Sequence, residues 1–128
     1  MKDEIGTETK DLKDRSKSFA LEIIRLFASL PKSPEAGVLG KQLLRSGTSV
    51  GANYREAYRS RSNAEFIAKA GDCLKELEET AYWLELLNEG GIFSFAKLQP
   101  LMKECDELTA IFVAIIKKVK AKNASTNS

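Results

Sequence analysis

The chain has 128 residues and a formal net charge of +2, from 20 lysines and arginines against 18 aspartates and glutamates, with two cysteines and no histidine. That length suits one domain with a real core, and 43% hydrophobic with 30% charged residues excludes a largely disordered chain. The missing histidine removes the commonest general base and the His ligand of di-iron bundles, so neither an enzyme nor a cofactor or metal is expected.

No apolar run approaches the ~20 residues of a membrane span, and Met1-Lys2-Asp3-Glu4 lacks the apolar stretch of a secretory signal, so a cytoplasmic location is expected. In that compartment Cys73 and Cys105, both on apolar faces, are expected as buried thiols rather than a disulfide.

After a segment 1–10 expected to be flexible, helical periodicity begins near Asp11. Leu12, Phe19, Ile23, Leu26, Phe27 and Leu30 fall on one stripe, which Pro31 and Pro34 end. A second stripe of Leu21, Ile24 and Ala28 calls for cover, either from a second neighbouring helix or from another subunit.

The next helix is expected from about Pro34 to Arg59, with Ser33 as N-cap and Pro34 at the first helical position. Its centre, Arg45-Ser46-Gly47-Thr48-Ser49-Val50-Gly51-Ala52-Asn53, reads as a loop by propensity, and a break at Gly47 would leave two short helices. At roughly 100° per residue, however, Leu39, Leu43, Val50, Tyr54 and Ala57 share one side only if the helix is continuous. Gly47 and Gly51 then form a notch for a closely approaching helix, which would account for a cost of about 1 kcal/mol each relative to alanine. Asn53, at the edge of this face, is a candidate buried polar residue that fixes helix register.

A third helix starts after Ser62, where Ser62 and Glu65 make a capping box. Phe66, Ala70, Cys73, Leu74, Leu77, Ala81, Leu84 and Leu87 are its core stripe, and Gly90-Gly91 supply its stop. The fourth runs from about Phe95 to Lys122, with Leu98, Leu101, Met102, Cys105, Leu108, Phe112, Ile115, Ile116 and Val119 inward, before a polar tail over 123–128. Four long amphipathic helices with short connections predict an all-α, antiparallel up-and-down four-helix bundle as one domain over 11–122.

Surface charge is unevenly spread. Lys41, Arg45, Arg55 and Arg59 share the side of the second helix away from its apolar stripe, with Arg61 just beyond, whereas the third carries Asp72, Glu76, Glu78, Glu79, Glu85 and Glu89. The basic stripe suits phosphate contact with RNA or DNA, a plain solvated face, or pairing with the acidic helix of the same or another copy. Tyr54 and Tyr58 read as packing residues rather than base-stacking ones. Tyr82, Trp83 and Leu86 point away from the third helix's main stripe and, with Leu21 and Ile24, mark an expected subunit interface.

Three stretches carry a resemblance: Gln42 to Ala57, centred on Ser46-Gly47-Thr48-Ser49-Val50-Gly51-Ala52-Asn53; Phe66 with Lys75 to Leu87; and Glu104-Cys105-Asp106-Glu107-Leu108. Over about Lys17 to Lys120 the chain resembles the four-helix-bundle family encoded in intervening sequences of bacterial 23S ribosomal RNA genes. The resemblance implies an antiparallel bundle, a ring-like homo-pentamer, and no known enzyme activity or cofactor. A similar protein, the accessory factor of diversity-generating retroelements, is a basic pentameric bundle that binds nucleic acid and a reverse transcriptase. The expected function is therefore a homo-oligomeric, nucleic-acid-associated accessory protein using Lys41, Arg45, Arg55, Arg59 and Arg61. The alternative is a protein-binding adaptor or scaffold without nucleic-acid contact.

Overall fold

The computed structural model describes the backbone of residues 2–127 and the side chains of residues 11–124. Four helices follow in order: α1 (Lys2–Ser29), α2 (Pro34–Tyr58), α3 (Asn63–Glu89) and α4 (Phe95–Asn127). α1 and α4 extend beyond the apolar stripes that located them, because a helix needs no buried face to continue past its stripe. The side chains of 1–10 and 125–128, which make up most of the expected flexible ends, lie outside the described residues.

Local chemistry sets the helix ends. Ser33 caps α2 by accepting from the Ala36 N–H at 3.3 Å, with Pro34 following at the first helical position. Ser62 caps α3 by accepting from the Glu65 N–H at 3.1 Å. Glu65 reaches back to the Arg61 N–H at 3.4 Å, one residue earlier than a standard capping box. Gly91, at φ +67°, is the left-handed residue that turns the chain after α3.

The helices close a ring in the order α1, α2, α3, α4, and among the described residues the α1–α4 seam is the sparsest and neither diagonal pair approaches closely. Neighbours are antiparallel. Gly40 faces Leu30, Gly47 faces Ile23 and Gly51 faces Ser16, so numbers rise along α2 as they fall along α1. Likewise Ser46 meets Thr80, Cys73 meets Val50, and Cys105 meets Leu77.

α2 runs unbroken through its glycines, and their role is spatial. A Cβ at Gly47 would lie 2.7 Å from Ile23 Cγ1, a clash, whereas one at Gly51 would lie 3.4 Å from the Ser16 carbonyl oxygen, an ordinary contact. Gly40, which the sequence reading passed over, is as tight as Gly47, at 2.7 Å from Leu30 Cδ1. The small residues thus form a groove that seats α1.

The core contains the four expected stripes, including Leu12, Phe19, Ile23, Leu43, Val50, Leu77, Leu84, Leu98, Leu108 and Phe112, all buried. Tyr54 is fully buried and packs edge-on against Phe112, ring centroids 5.5 Å apart. The buried polar contact between α2 and α3 is Ser46 with Thr80, whose Oγ1 lies 2.8 Å from both Ser46 Oγ and the Glu76 carbonyl oxygen. Asn53, expected in that position, is half-buried and has no side-chain hydrogen bond to the described residues. The more deeply placed hydroxyls, set among the glycines, meet across the seam instead.

Both thiols are buried, Cys73 Sγ 3.5 Å from the Val50 carbonyl oxygen and Cys105 Sγ 3.4 Å from that of Leu77. Desolvation pushes each thiol up to about 12. A thiolate reagent near neutral pH should therefore label neither cysteine in the native chain and both after denaturation; rapid native labelling would contradict this packing.

The glycine groove makes a paired prediction. Gly47→Ala gains about 1 kcal/mol of helix propensity but presses on Ile23, whose branched side chain is stiff at χ1, so overpacking of about 1–3 kcal/mol prevails. Gly71→Ala, whose Cβ meets nothing within 4 Å, should stabilise by up to about 1 kcal/mol. Urea midpoints should move in opposite directions, and a Gly47→Ala chain as stable as the parent would refute the close approach.

Candidate nucleic-acid interface

The basic stripe expected along α2 divides when its residues are placed. Lys41 is exposed about 27 Å along the helix from Arg59, near the opposite end of the bundle. Arg45 binds the acidic helix of its own chain, pairing with Glu79 and, at 3.3 Å, with Glu76. Among the roles the sequence allows for it, the structure shows the pairing with the acidic helix of the same copy.

Arg55, Arg59 and Arg61 are exposed, and among the described residues none of their side chains makes an ion pair or hydrogen bond. They stand at the end of the bundle where α2 stops, α3 starts and α4 finishes. There α4 adds Lys117, Lys118, Lys120 and Lys122, with no acid between 109 and 124. From α1, Lys13 places its Nζ 5.0 Å from the centre of the Tyr58 ring. Nearby Glu56 is paired with Lys69 at 3.5 Å. These cations gather at an end of the bundle to which all four helices contribute, a grouping that reading one helix at a time did not find, and α1 brings Asp11 there as well, beside Lys118. The lysine run of α4 was its sequence signal.

Between these elements opens a cleft of about 310 Å³, lined by Tyr58, Ser60, Arg61, Asn63, Phe66 and Lys122 among others. Tyr58 is 46% exposed, in contrast to the buried Tyr54. Two residues expected to act alike in packing are thereby separated.

The expected interface residues form two patches. Leu21 and Ile24 are 42% and 46% exposed on α1, and Tyr82 is 52% exposed on α3 beside the half-buried Trp83 and Leu86. α1 and α3 are diagonal in the ring, and Leu21 and Ile24 stay exposed among the described residues, so the two patches lie on different sides of the bundle. The Trp83 indole N–H is buried without a hydrogen-bond partner, alone in this among the described side chains.

On the sparse α1–α4 seam, Arg15 grips Glu104 with two hydrogen bonds, one of them Nε to Oε2 at 3.1 Å, and reaches Glu107 at 3.4 Å. The sequence reading passed over this contact. Among the described residues no three His, Cys, Asp or Glu side chains come together to hold a metal, and no helix is long and apolar enough to cross a membrane.

These features define an all-α bundle with one cationic end and two outward apolar patches. The family model described as 23S rRNA-intervening sequence protein matches residues 8–114, and the chain belongs to that family. It is similar to a solved protein of unknown function from the S23 ribosomal protein family of Bacteroides thetaiotaomicron. The two share 39% identity over 86% of this chain and 98% of that one, with a TM-score of 0.80. No curated protein matches the chain.

The Arg45 hydrogen bond, assisted by its charge, holds the Glu79 carboxyl below its ordinary value of 4.5. The stability from this pair is full above that ordinary value and fades as pH falls through the lower folded-state value. Carboxylate NMR should find Glu79 titrating low in the parent and moving up toward 4.5 in Arg45→Gln. Identical titrations would show that the pair does not persist in solution.

Proposed function

We propose that the protein is a non-enzymatic, cytoplasmic accessory protein that associates with RNA and works as a ring of copies, a pentamer by family resemblance. The observation that carries the reading is the cationic end, where Arg55, Arg59 and Arg61 stand without ion-pair partners among the described residues beside the lysines of α4. Guanidinium groups free of carboxylates can each take a phosphate, whereas Arg45 would first have to leave Glu76 and Glu79.

Assembly draws support from the placement of the apolar patches. The Gly47–Ile23 and Ser46–Thr80 contacts put Ile23 and Thr80 at one height, so Leu21, Ile24 and Tyr82 lie within about a turn of each other along the axis. A contact joining the α1 patch of one copy to the α3 patch of the next is head-to-tail, and at equal heights it keeps the copies in one plane instead of a rising filament, with closure set by the rotation between neighbours. Every copy then presents its cationic end on the same rim, where weak phosphate contacts reinforce one another.

Binding to a ribosomal RNA fragment should weaken steeply with salt, because each neutralised phosphate releases counterions. Arg55→Glu with Arg59→Glu should lower affinity by about tenfold or more and leave the oligomer intact. Salt-insensitive binding, or an unchanged double variant, would refute RNA contact at this end. Loss of the oligomer in that variant would instead assign the arginines to assembly. By light scattering the parent should be oligomeric at micromolar concentration and Leu21→Lys with Tyr82→Lys should be smaller, whereas a monomeric parent would refute the ring.

A further inference from the structure

The cleft at the cationic end has a composition that general attraction to phosphate does not require. Tyr58 and Phe66 give it aromatic surface, Ser60 and Asn63 give it neutral polar groups, and Arg61 and Lys122 give it positive charge. No carboxylate lines it. The acids nearest in sequence are turned to other work, Glu56 on Lys69 at 3.5 Å and Glu65 on the Arg61 backbone N–H at 3.4 Å. Lys13 lies over the Tyr58 ring, its Nζ 5.0 Å from the ring centre.

A volume of about 310 Å³ lies at the small end of ligand sites, enough for one flat ring and its attached anion and far too little for a helix of nucleic acid. A ligand that satisfies aromatic walls, neutral donors and acceptors, and cations together is planar, edged with hydrogen-bonding groups, and anionic. We infer that the cleft seats one unpaired nucleotide of an RNA strand, its base against Tyr58 and Phe66, its base edge toward Ser60 and Asn63, and its phosphate on Arg61 and Lys122. A paired base cannot enter, because its faces are covered by its neighbours and its edge by its partner. The surrounding Arg55 and Arg59 carry the flanking backbone, whatever its structure. This assignment rests on the RNA reading above and adds to it a preference for unpaired positions.

The test compares a blunt RNA duplex with the same duplex carrying a short unpaired extension, each titrated by fluorescence anisotropy against the full chain. The extension should raise affinity by about tenfold, the scale of stacking one base on aromatic side chains. Tyr58→Leu and Phe66→Leu should each abolish that gain while leaving blunt-duplex affinity within about twofold, and Tyr58→Phe should keep it. Circular dichroism melts confirm folding. Should Phe66→Leu fail to fold, Tyr58→Leu, at a position 46% exposed, carries the comparison alone. Equal affinity for both RNAs, with binding still salt-sensitive and dependent on Arg55 and Arg59, overturns the nucleotide seat and leaves the RNA reading standing. Parallel loss of both affinities in Tyr58→Leu also overturns the seat, and no binding to either RNA overturns both.

Discussion

The close approach of α1 to α2 along Gly40, Gly47 and Gly51 is the constraint from which the rest of the arrangement follows. With Ile23 seated over Gly47 and Ser16 over Gly51, the two helices have one register. That register sets how far α1 reaches along the bundle and so brings Lys13 over Tyr58 at the far end. On the other side of α2, Ser46 and Thr80 lock α3 at a matching height. The segment richest in small residues therefore positions three helices at once, and its helical cost is offset by contacts that a larger side chain would block.

The charges divide by the same geometry. Two arginines bridge seams: Arg45 closes onto Glu76 and Glu79 between α2 and α3, and Arg15 ties α1 to Glu104 and Glu107 on α4. Arg55, Arg59 and Arg61, with no such partner among the described residues, stand toward one end. A net charge of +2 thus conceals a molecule whose arginines are divided between paired seams and an end where three of them have no ion-pair partner among the described residues.

Much of the fold was legible because it depends on period and punctuation. The four stripes, the caps at Ser33 and Ser62, and the continuity of α2 through its glycines all follow from angular spacing and local chemistry. The buried polar pair was not, since Ser46 and Thr80 look like any small hydroxyl residues until two helices are placed side by side. Asn53 attracted attention for its size and polarity but sits at the flank of α2. The candidate site was legible only in part. Lys41, Arg45, Arg55, Arg59 and Arg61 share one face of α2 and its end, but a single helix shows neither that Arg45 is answered by Glu76 and Glu79 nor that Lys41 lies far from the other three. The contributions of Lys13, Phe66 and the α4 lysines depend on four helix ends meeting, which no single segment encodes.

The central claim is that RNA meets the end of the bundle rather than its α2 flank, and photo-crosslinking of a bound ribosomal RNA fragment followed by mass spectrometry tests it directly. Crosslinked peptides should fall within residues 55–69 and 109–122, where Tyr58, Arg59, Arg61, Phe66 and the lysines of α4 lie. Crosslinks concentrated over 38–49, around Lys41 and Arg45, or along the outer face of α3, would contradict the account.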